Sequence, residues 1–444
     1  MSDLPPNGLS ATEAADKLRT GALTSEELVT ACLNRIEQTD SQVKAWVHLD
    51  REYALMQARE LDQIRQNGKP MGPLHGIPVG LKDIVDTSFY PTEYGSPIFK
   101  GHKSDRDALV VQRLKEAGAV ILGKTATAEF AFVNPAETRN PHNPDHTPGG
   151  SSSGSAAAVA AFHVPFAIGT QTNGSVIRPA SFCGTYGFKP TMGVVSRSGF
   201  LQTSRTLDQV GVFARSVEDA ALLVDAISCY DPTDHDSYSR ARPNMANGAA
   251  SQPPVEPQFA WLEMPYSDLY TKDMQEGFEE VIDALGKQIE RITPADTFAG
   301  LIETHRVIHE YEFCRHLSDT IEKNWKDISP KLKLNIEQGR EISTETYEHA
   351  LVARKQTQSF FEDFFKDYDA ILTPTATGEA PLFSEGNTGN PVCCTIWTLA
   401  GLPCVSLPIL VGEKGLPIGI QLVGASEEDD RLLRTANWVL KQLQ

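Results

Sequence analysis

The sequence predicts an α/β fold, and three observations carry that reading. From Gly76 onward, short apolar runs lie between glycines, as in GIPVGLKDIVD, AVILGKT and VPFAIGTQT, which is the texture of buried strands. Helix-like stretches separate these runs, and alternating strands and helices imply a sheet covered by helices. A chain of 444 residues that is 40% hydrophobic and 22% charged has ordinary globular composition and enough material for a large core.

Taken in order, the elements divide the chain into four stretches. Residues 1–70 read as an N-terminal helical segment packed on the core. There Thr24 and Glu27 have capping-box spacing, and Leu28, Cys32 and Ile36, then Ala54, Ala58 and Leu61, recur at helical intervals. Residues 71–230 form the core with the glycine-bounded strands. Residues 231–258 contain five prolines and little apolar content, and read as a surface connection. Residues 259–444 complete the α/β core. FAWLEM is a strand, and Met274, Phe278, Val281, Ile282, Leu285 and Ile289 make one helical stripe. Residues 297–366 are almost glycine-free, charged and helical in period, so they read as a helical insertion beside the sheet. GLPIGIQLVGA is a strand, and the last helix starts from Ser426 with acids in its first turn.

Charge narrows the function. Forty Lys and Arg against 58 Asp and Glu leave a net charge of −18, which argues against nucleic-acid or anionic-membrane partners, because both need a basic footprint. The start MSDLPPNGLS lacks the basic-then-apolar pattern of a signal peptide. The most apolar stretch, AAAVAAFHVPFAIG, is broken by His163 and Pro165. Seven cysteines without CxxC or zinc spacing suggest reduced thiols, so a cytoplasmic location is expected.

Three segments could carry chemistry. The first is PGGSSSGSAAAVAA, where Gly149 to Ser155 open an alanine-rich helix. Glycines allow close backbone approach, and a helix start offers free N–H donors. A phosphate loop is one reading, although the lysine of GxxxxGK[ST] is missing. Gly150, Ser152 and Gly154 match GxSxG, a nucleophile elbow, although a loop precedes them where an elbow needs a strand. A flexible linker is the third reading, disfavoured by the apolar helix that follows at once.

The second segment is GTQTNGSVIRPASFCG, in which Thr172, Asn173, Gly174 and Ser175 form a turn-prone run after an apolar strand. Successive N–H groups in such a turn can point inward as an oxyanion hole, with Ser175 beside it, although taken alone the segment reads better as a structural turn. The third is LHGIPVGLKDIVD, which puts Gly80, Lys82 and Ile84 on one strand face and Val79, Leu81 and Asp83 on the other. A lysine facing the interior loses its charge readily and becomes a base near neutral pH, whereas a lysine on an edge strand reaches water and stays charged, the reading favoured for Lys82 when this segment is taken alone. Lys124 in AVILGKT and Lys189 in GFKPT are rivals for that role.

Read together, GLKD, GGSSSGS and GTQTNGS, with the flanking PTEYGS, AGAVILGKT, FCGTYGFKPT, LAGLPCVSLP and GLPIGIQLVG blocks, resemble the amidase signature family from about residue 20 to the end. The resemblance implies a large central mixed β-sheet covered on both sides by α-helices, and a Ser, cis-Ser, Lys triad. It maps the lysine onto Lys82, the cis-serine onto Ser151 and the nucleophile onto Ser175, with the oxyanion hole on the N–H groups of Thr172, Asn173, Gly174 and Ser175. It implies no metal and no organic cofactor. Arg178, Asp83 and Ser152 are candidates for bracing the loops or touching substrate. Arg178 is read as a brace acting through an acid such as Asp83, with a substrate-carboxylate clamp as the rival reading.

The chain departs from the family run TDTGGSIR. Gln171 stands for the acid, Asn173 for the first glycine, and the arginine falls one place later at Arg178. Asn173 would then have to accept a backbone angle that favours glycine. The HxxxHE run of His305, His309 and Glu310 lacks the HExxH order of a zinc helix and reads as a polar helix face. Adjacent Cys393 and Cys394 read as small apolar packing.

The expectation is a hydrolase of small-molecule carboxylic amides, with carbamates and esters as variants, working through an acyl-enzyme. The alternatives are a glutamine-hydrolysing amidotransferase A-type subunit, which needs partner subunits, and a non-catalytic scaffold on the same fold. The sequence leaves acyl and amine specificity open, and also whether the chain forms a homo-oligomer.

Overall fold

Pairing of strands far apart in the chain organises the protein. The structure, a computed structural model, describes residues 4–242, 244–294 and 297–443. The N-terminal part contains α1 (Ala11–Thr20), α2 (Ser25–Val43), β1 (Trp46–Leu49) and α3 (Arg51–Gln66). The Thr24 side chain accepts from Glu27 N while Glu27 reaches back to Thr24 N, the capping box that the spacing predicts. The strand β1 was not expected inside this helical stretch. It pairs antiparallel with β3, Trp46 opposite Thr125, once Lys44 in the left-handed region has ended α2.

The core runs β2 (Pro78–Lys82), α4 (Leu109–Glu116), β3 (Val120–Thr125), α5 (Ser153–Ala160), β4 (Phe166–Gln171), α6 (Ile177–Cys183), β5 (Tyr186–Lys189), β6 (Gln209–Ala214) and α7 (Val217–Ile227). After α8 (Met245–Ala250) come β7 (Phe259–Leu262), α9 (Lys272–Leu285) and β8 (Ile289–Ile292). Four helices follow: α10 (Thr297–His316), α11 (Ser318–Lys323), α12 (Pro330–Glu341) and α13 (Thr344–Phe364). Then come β9 (Ala370–Pro374), α14 (Val392–Ala400), β10 (Cys404–Val411), β11 (Pro417–Val423) and α15 (Asp429–Gln442).

All strands join one 11-stranded sheet in the order β1-β3-β2-β4-β6-β5-β10-β11-β9-β7-β8. The sheet is mixed: β2 is parallel to both β3 and β4, and β7 is parallel to β8 and β9, while the other pairs are antiparallel. Apolar layers cover both faces. On β4, Phe166 and Ile168 join the layer that holds Leu223 of α7 and Leu432 of α15, whereas Ala167 joins the layer of Ala156 to Val159 from α5. The α10–α13 helices pack Phe313, Leu332 and Ile336 against Ile84, Phe130 and Ala131, and so cover the C-terminal end of β2.

Two boundaries differ from the sequence reading. Ile289 opens β8 instead of extending the α9 stripe, because Gly286 at φ +54° ends that helix. The last helix begins at Asp429 and not from a Ser426 cap, since the Asp429 carboxylate is committed to Thr191 N and Oγ1. No helix among the described residues is long and apolar enough to cross a membrane.

Candidate active site

Strand direction gathers the site. β2 and β4 are parallel neighbours, so Lys82 at the end of β2 and the turn after β4 lie at the same carboxyl edge of the sheet, where open α/β sheets place ligands. The GGSSSGS loop crosses this edge before α5. Gly149, at φ +82°, lies where a Cβ would come 2.9 Å from Pro179 Cα, and a Cβ on Gly154 would come 2.3 Å from both Ala126 N and Ala45 O. These glycines press the loop against its neighbours. Gly154 therefore serves packing, which accounts for the GxSxG match without an elbow.

The serines of the loop have separate partners. Ser152 Oγ donates to Thr170 O at 3.1 Å, Ser153 Oγ to Gly149 O at 2.7 Å and Ser155 Oγ to Ile168 O at 2.9 Å. Each satisfies a buried carbonyl. Ser151 differs. It follows a cis Gly150–Ser151 peptide bond, and its hydroxyl lies 2.8 Å from Lys82 Nζ. Lys82 also donates to Thr170 Oγ1 at 2.8 Å.

Lys82 is completely buried, and burial pushes its amine down to about 7, against the opposing pull of the Asp208 carboxylate. The rival lysines have other partners. Lys124 Nζ sits 3.0 Å from Asp83 Oδ1 and donates to Thr92 Oγ1 at 2.8 Å. Lys189 donates to Gln209 Oε1 at 2.6 Å and to the Leu402 carbonyl. His48, Asp83 and Glu93 bring candidate ligand atoms within 4.8 Å of one another, but Lys124 already supplies the cation at Asp83.

The turn from Thr172 to Ser175 is held from several sides. Asp208, buried, accepts from Thr172 Oγ1 at 2.6 Å, and its own carboxyl is raised by burial. Gln171 Oε1 accepts from Val176 N at 2.9 Å and Ile177 N at 3.0 Å, so its neutral amide satisfies backbone N–H groups at the start of α6. Asn173 does not adopt the positive φ expected of it, and its Oδ1 instead accepts from Thr395 Oγ1 at 2.7 Å. Among the described residues the Ser175 hydroxyl has no hydrogen-bond partner, and none links it to Ser151.

Arg178 also departs from expectation. Its guanidinium does not meet Asp83, which is taken by Lys124. Arg178 Nη2 donates to Gly150 O at 2.7 Å and to Thr388 Oγ1 at 3.1 Å, while Nε and Nη1 are buried without a partner among the described residues. Burial pushes this guanidinium down to about 10. The bond to Gly150 ties α6, just after Ser175, to the carbonyl just before Ser151.

The HxxxHE run is no exposed polar face. His305, His309 and Glu310 are all buried, and His305 Nε2 donates to the Thr172 carbonyl at 2.8 Å. Sequence reasoning missed His305, Asp208, Thr170, Thr388 and Thr398. Thr170 lies inside GTQTNGS and His305 inside HxxxHE, but neither pattern signals a contact with the site, and Asp208, Thr388 and Thr398 lie in no motif and meet the site only through packing.

The amidase family model matches residues 27–433. The A-type component of the glutamyl-tRNA(Gln) amidotransferase of Streptomyces coelicolor is 35% identical over 98% of this chain and 95% of its own length, and that of Natranaerobius thermophilus is 32% identical over 98% and 96%. A solved vestigial protein complex, tied to the origins of an s-triazine catabolic enzyme, superposes with a TM-score of 0.91 at 29% identity, covering 98% of both chains. The peptide amidase of Stenotrophomonas maltophilia gives 0.86 at 29% over 98% and 97%. The corresponding amidotransferase component of Thermotoga maritima gives 0.81 at 29% over 98% and 95%. With a family match over nearly its whole length and relatives above 30% identity along it, the chain belongs to the amidase signature family.

Proposed function

We propose that the chain hydrolyses a carboxylic amide through an acyl-enzyme on Ser175. The observation that carries this reading is the buried Lys82 amine, 2.8 Å from Ser151 Oγ and bonded, among the described residues, only to hydroxyls. Neutral Lys82 takes the Ser151 proton as Ser151 takes that of Ser175, whose oxygen forms a bond to the amide carbon. The carbonyl oxygen becomes an oxyanion facing the N–H groups of residues 172–175. The proton returns through Ser151 to the leaving nitrogen, the C–N bond breaks, and an ester on Ser175 remains. Water, deprotonated by the same relay, then attacks this ester and releases the acid. Arg178 acts as a brace, holding the Gly150 carbonyl so that Ser151 stays between lysine and nucleophile.

Two substrate readings stand on different observations. The sequence relatives, named as amidotransferase components at 32% and 35% identity, favour glutamine as the amide and partner subunits as acceptors of the ammonia. The solved structures lean the other way, with the peptide amidase at a TM-score of 0.86 and the Thermotoga maritima amidotransferase component at 0.81. Product release across glutamine, aryl amides, aliphatic amides, carbamates and esters separates them. Turnover confined to glutamine supports the amidotransferase reading, turnover of simple amides by the chain alone supports the free-standing amidase, and no turnover with any of them argues for the scaffold.

A further inference from the structure

We propose that His305 of α10 and Thr398 of α14 are positioning residues that set the direction of the oxyanion turn from behind. The proposal rests on the acyl-enzyme reading above. A trans peptide unit is planar, with its C=O and N–H pointing in opposite directions. Whatever captures the carbonyl of such a unit therefore aims its N–H the other way. His305 Nε2 donates to Thr172 O at 2.8 Å, which turns the N–H of Asn173, in the same unit, away from α10. Thr398 Oγ1 donates to Asn173 O, which turns the N–H of Gly174 away from α14. Among the described residues neither N–H is used elsewhere.

Both captors are themselves fixed. His305 is buried and its ring is pushed down to about 4, so near neutral pH it carries one N–H, and the Thr172 carbonyl places that N–H on Nε2. Thr398 Oγ1 accepts from Gln171 Nε2 at 2.9 Å, which leaves its own proton for a carbonyl, and of the two in reach Asn173 O is nearer than Cys394 O at 3.1 Å. The side chains of the turn are tied separately, Thr172 to Asp208 and Asn173 to Thr395. The ties to the turn thus use its carbonyls and side chains and leave its N–H groups free. This arrangement gives α10 a contact with the turn that precedes Ser175.

The test uses the full chain carrying His305→Ala, His305→Gln, Thr398→Val or Thr398→Ser. It measures kcat and KM on an amide the wild type turns over, with thermal midpoints to score folding. Losing an oxyanion donor outright costs roughly a hundred- to a thousandfold in kcat, so misaiming one should cost about thirtyfold or more while KM stays within about threefold. Thr398→Ser and His305→Gln keep a donor and should recover most of the loss. Thr398→Val preserves shape, so it remains informative if His305→Ala unfolds. The proposal is overturned if folded Thr398→Val and His305→Ala keep kcat within about threefold of wild type, or if the donor-keeping variants are as slow as the donor-free ones. Full activity in Ser175→Ala would instead overturn the acyl-enzyme reading beneath it.

Discussion

The pH dependence of the reaction follows from where Lys82 sits. The amine is buried at the end of β2, and burial pushes it down to about 7. Only the neutral amine can take a proton from Ser151. With that midpoint, roughly a tenth of Lys82 is neutral at pH 6, half at pH 7 and about nine tenths at pH 8. kcat/KM reports the free enzyme, so it should climb about tenfold from pH 6 to pH 8 and level off above. Asp208 is the charged group that opposes the shift. Asp208→Asn removes that charge at nearly constant shape, so the midpoint should move to lower pH even if the plateau falls through the altered bond to Thr172. The assay is kcat/KM on a neutral amide across the stability range of the protein, for wild type and Asp208→Asn. A flat profile, a midpoint near the free-lysine value of ~10.4, or an upward shift in Asp208→Asn would refute the reasoning.

Other consequences follow from the same geometry. Because the folded state holds Lys82 below its unfolded value, the unfolded chain binds more protons between about pH 7 and 10, and wild-type stability should rise with pH across that window. Lys82→Met should therefore be inactive yet more stable near pH 7, by at most about 4 kcal/mol, with the advantage shrinking toward pH 10; denaturant melts at several pH values check this. Arg178→Ala should lower kcat for neutral and carboxylate-bearing amides alike, because the lost tie to Gly150 O loosens the loop for every substrate; a KM rise confined to acidic amides would restore the clamp reading. Chelator and mild thiol alkylation should leave activity within about twofold, since the proposed relay uses hydroxyls and an amine; zinc-reversible loss would count against it.

Much of the fold was legible because its signals are local. Glycine-bounded apolar runs marked β2, β3 and β4, and the capping box marked α2. The residues that meet at the carboxyl edge were also legible, since GLKD, GGSSSGS and GTQTNGS are short and unusual. What escaped depends on distant packing. His305 meets Thr172 across 133 residues of sequence, and nothing in HxxxHE distinguishes a histidine capping a turn from one facing water. Asp83 and Arg178 looked like partners by charge, but Lys124, from the adjacent strand, reaches Asp83 first. Asn173 seemed to need a glycine's backbone freedom, whereas Thr395 gives its side chain a use in an ordinary conformation. Ile289 and Ser426 were misplaced because a left-handed glycine and a tertiary bond to Thr191 set those helix ends.

The claim on which the account turns is that Ser175 forms the covalent bond. Incubating the full chain with a fluorophosphonate, digesting it and mapping the adduct by mass spectrometry tests this directly. The account predicts a single adduct on the peptide containing Ser175, formed far more slowly in Lys82→Ala and Ser151→Ala. An adduct on Ser152, or labelling of Ser175 at an unchanged rate without Lys82, would contradict it.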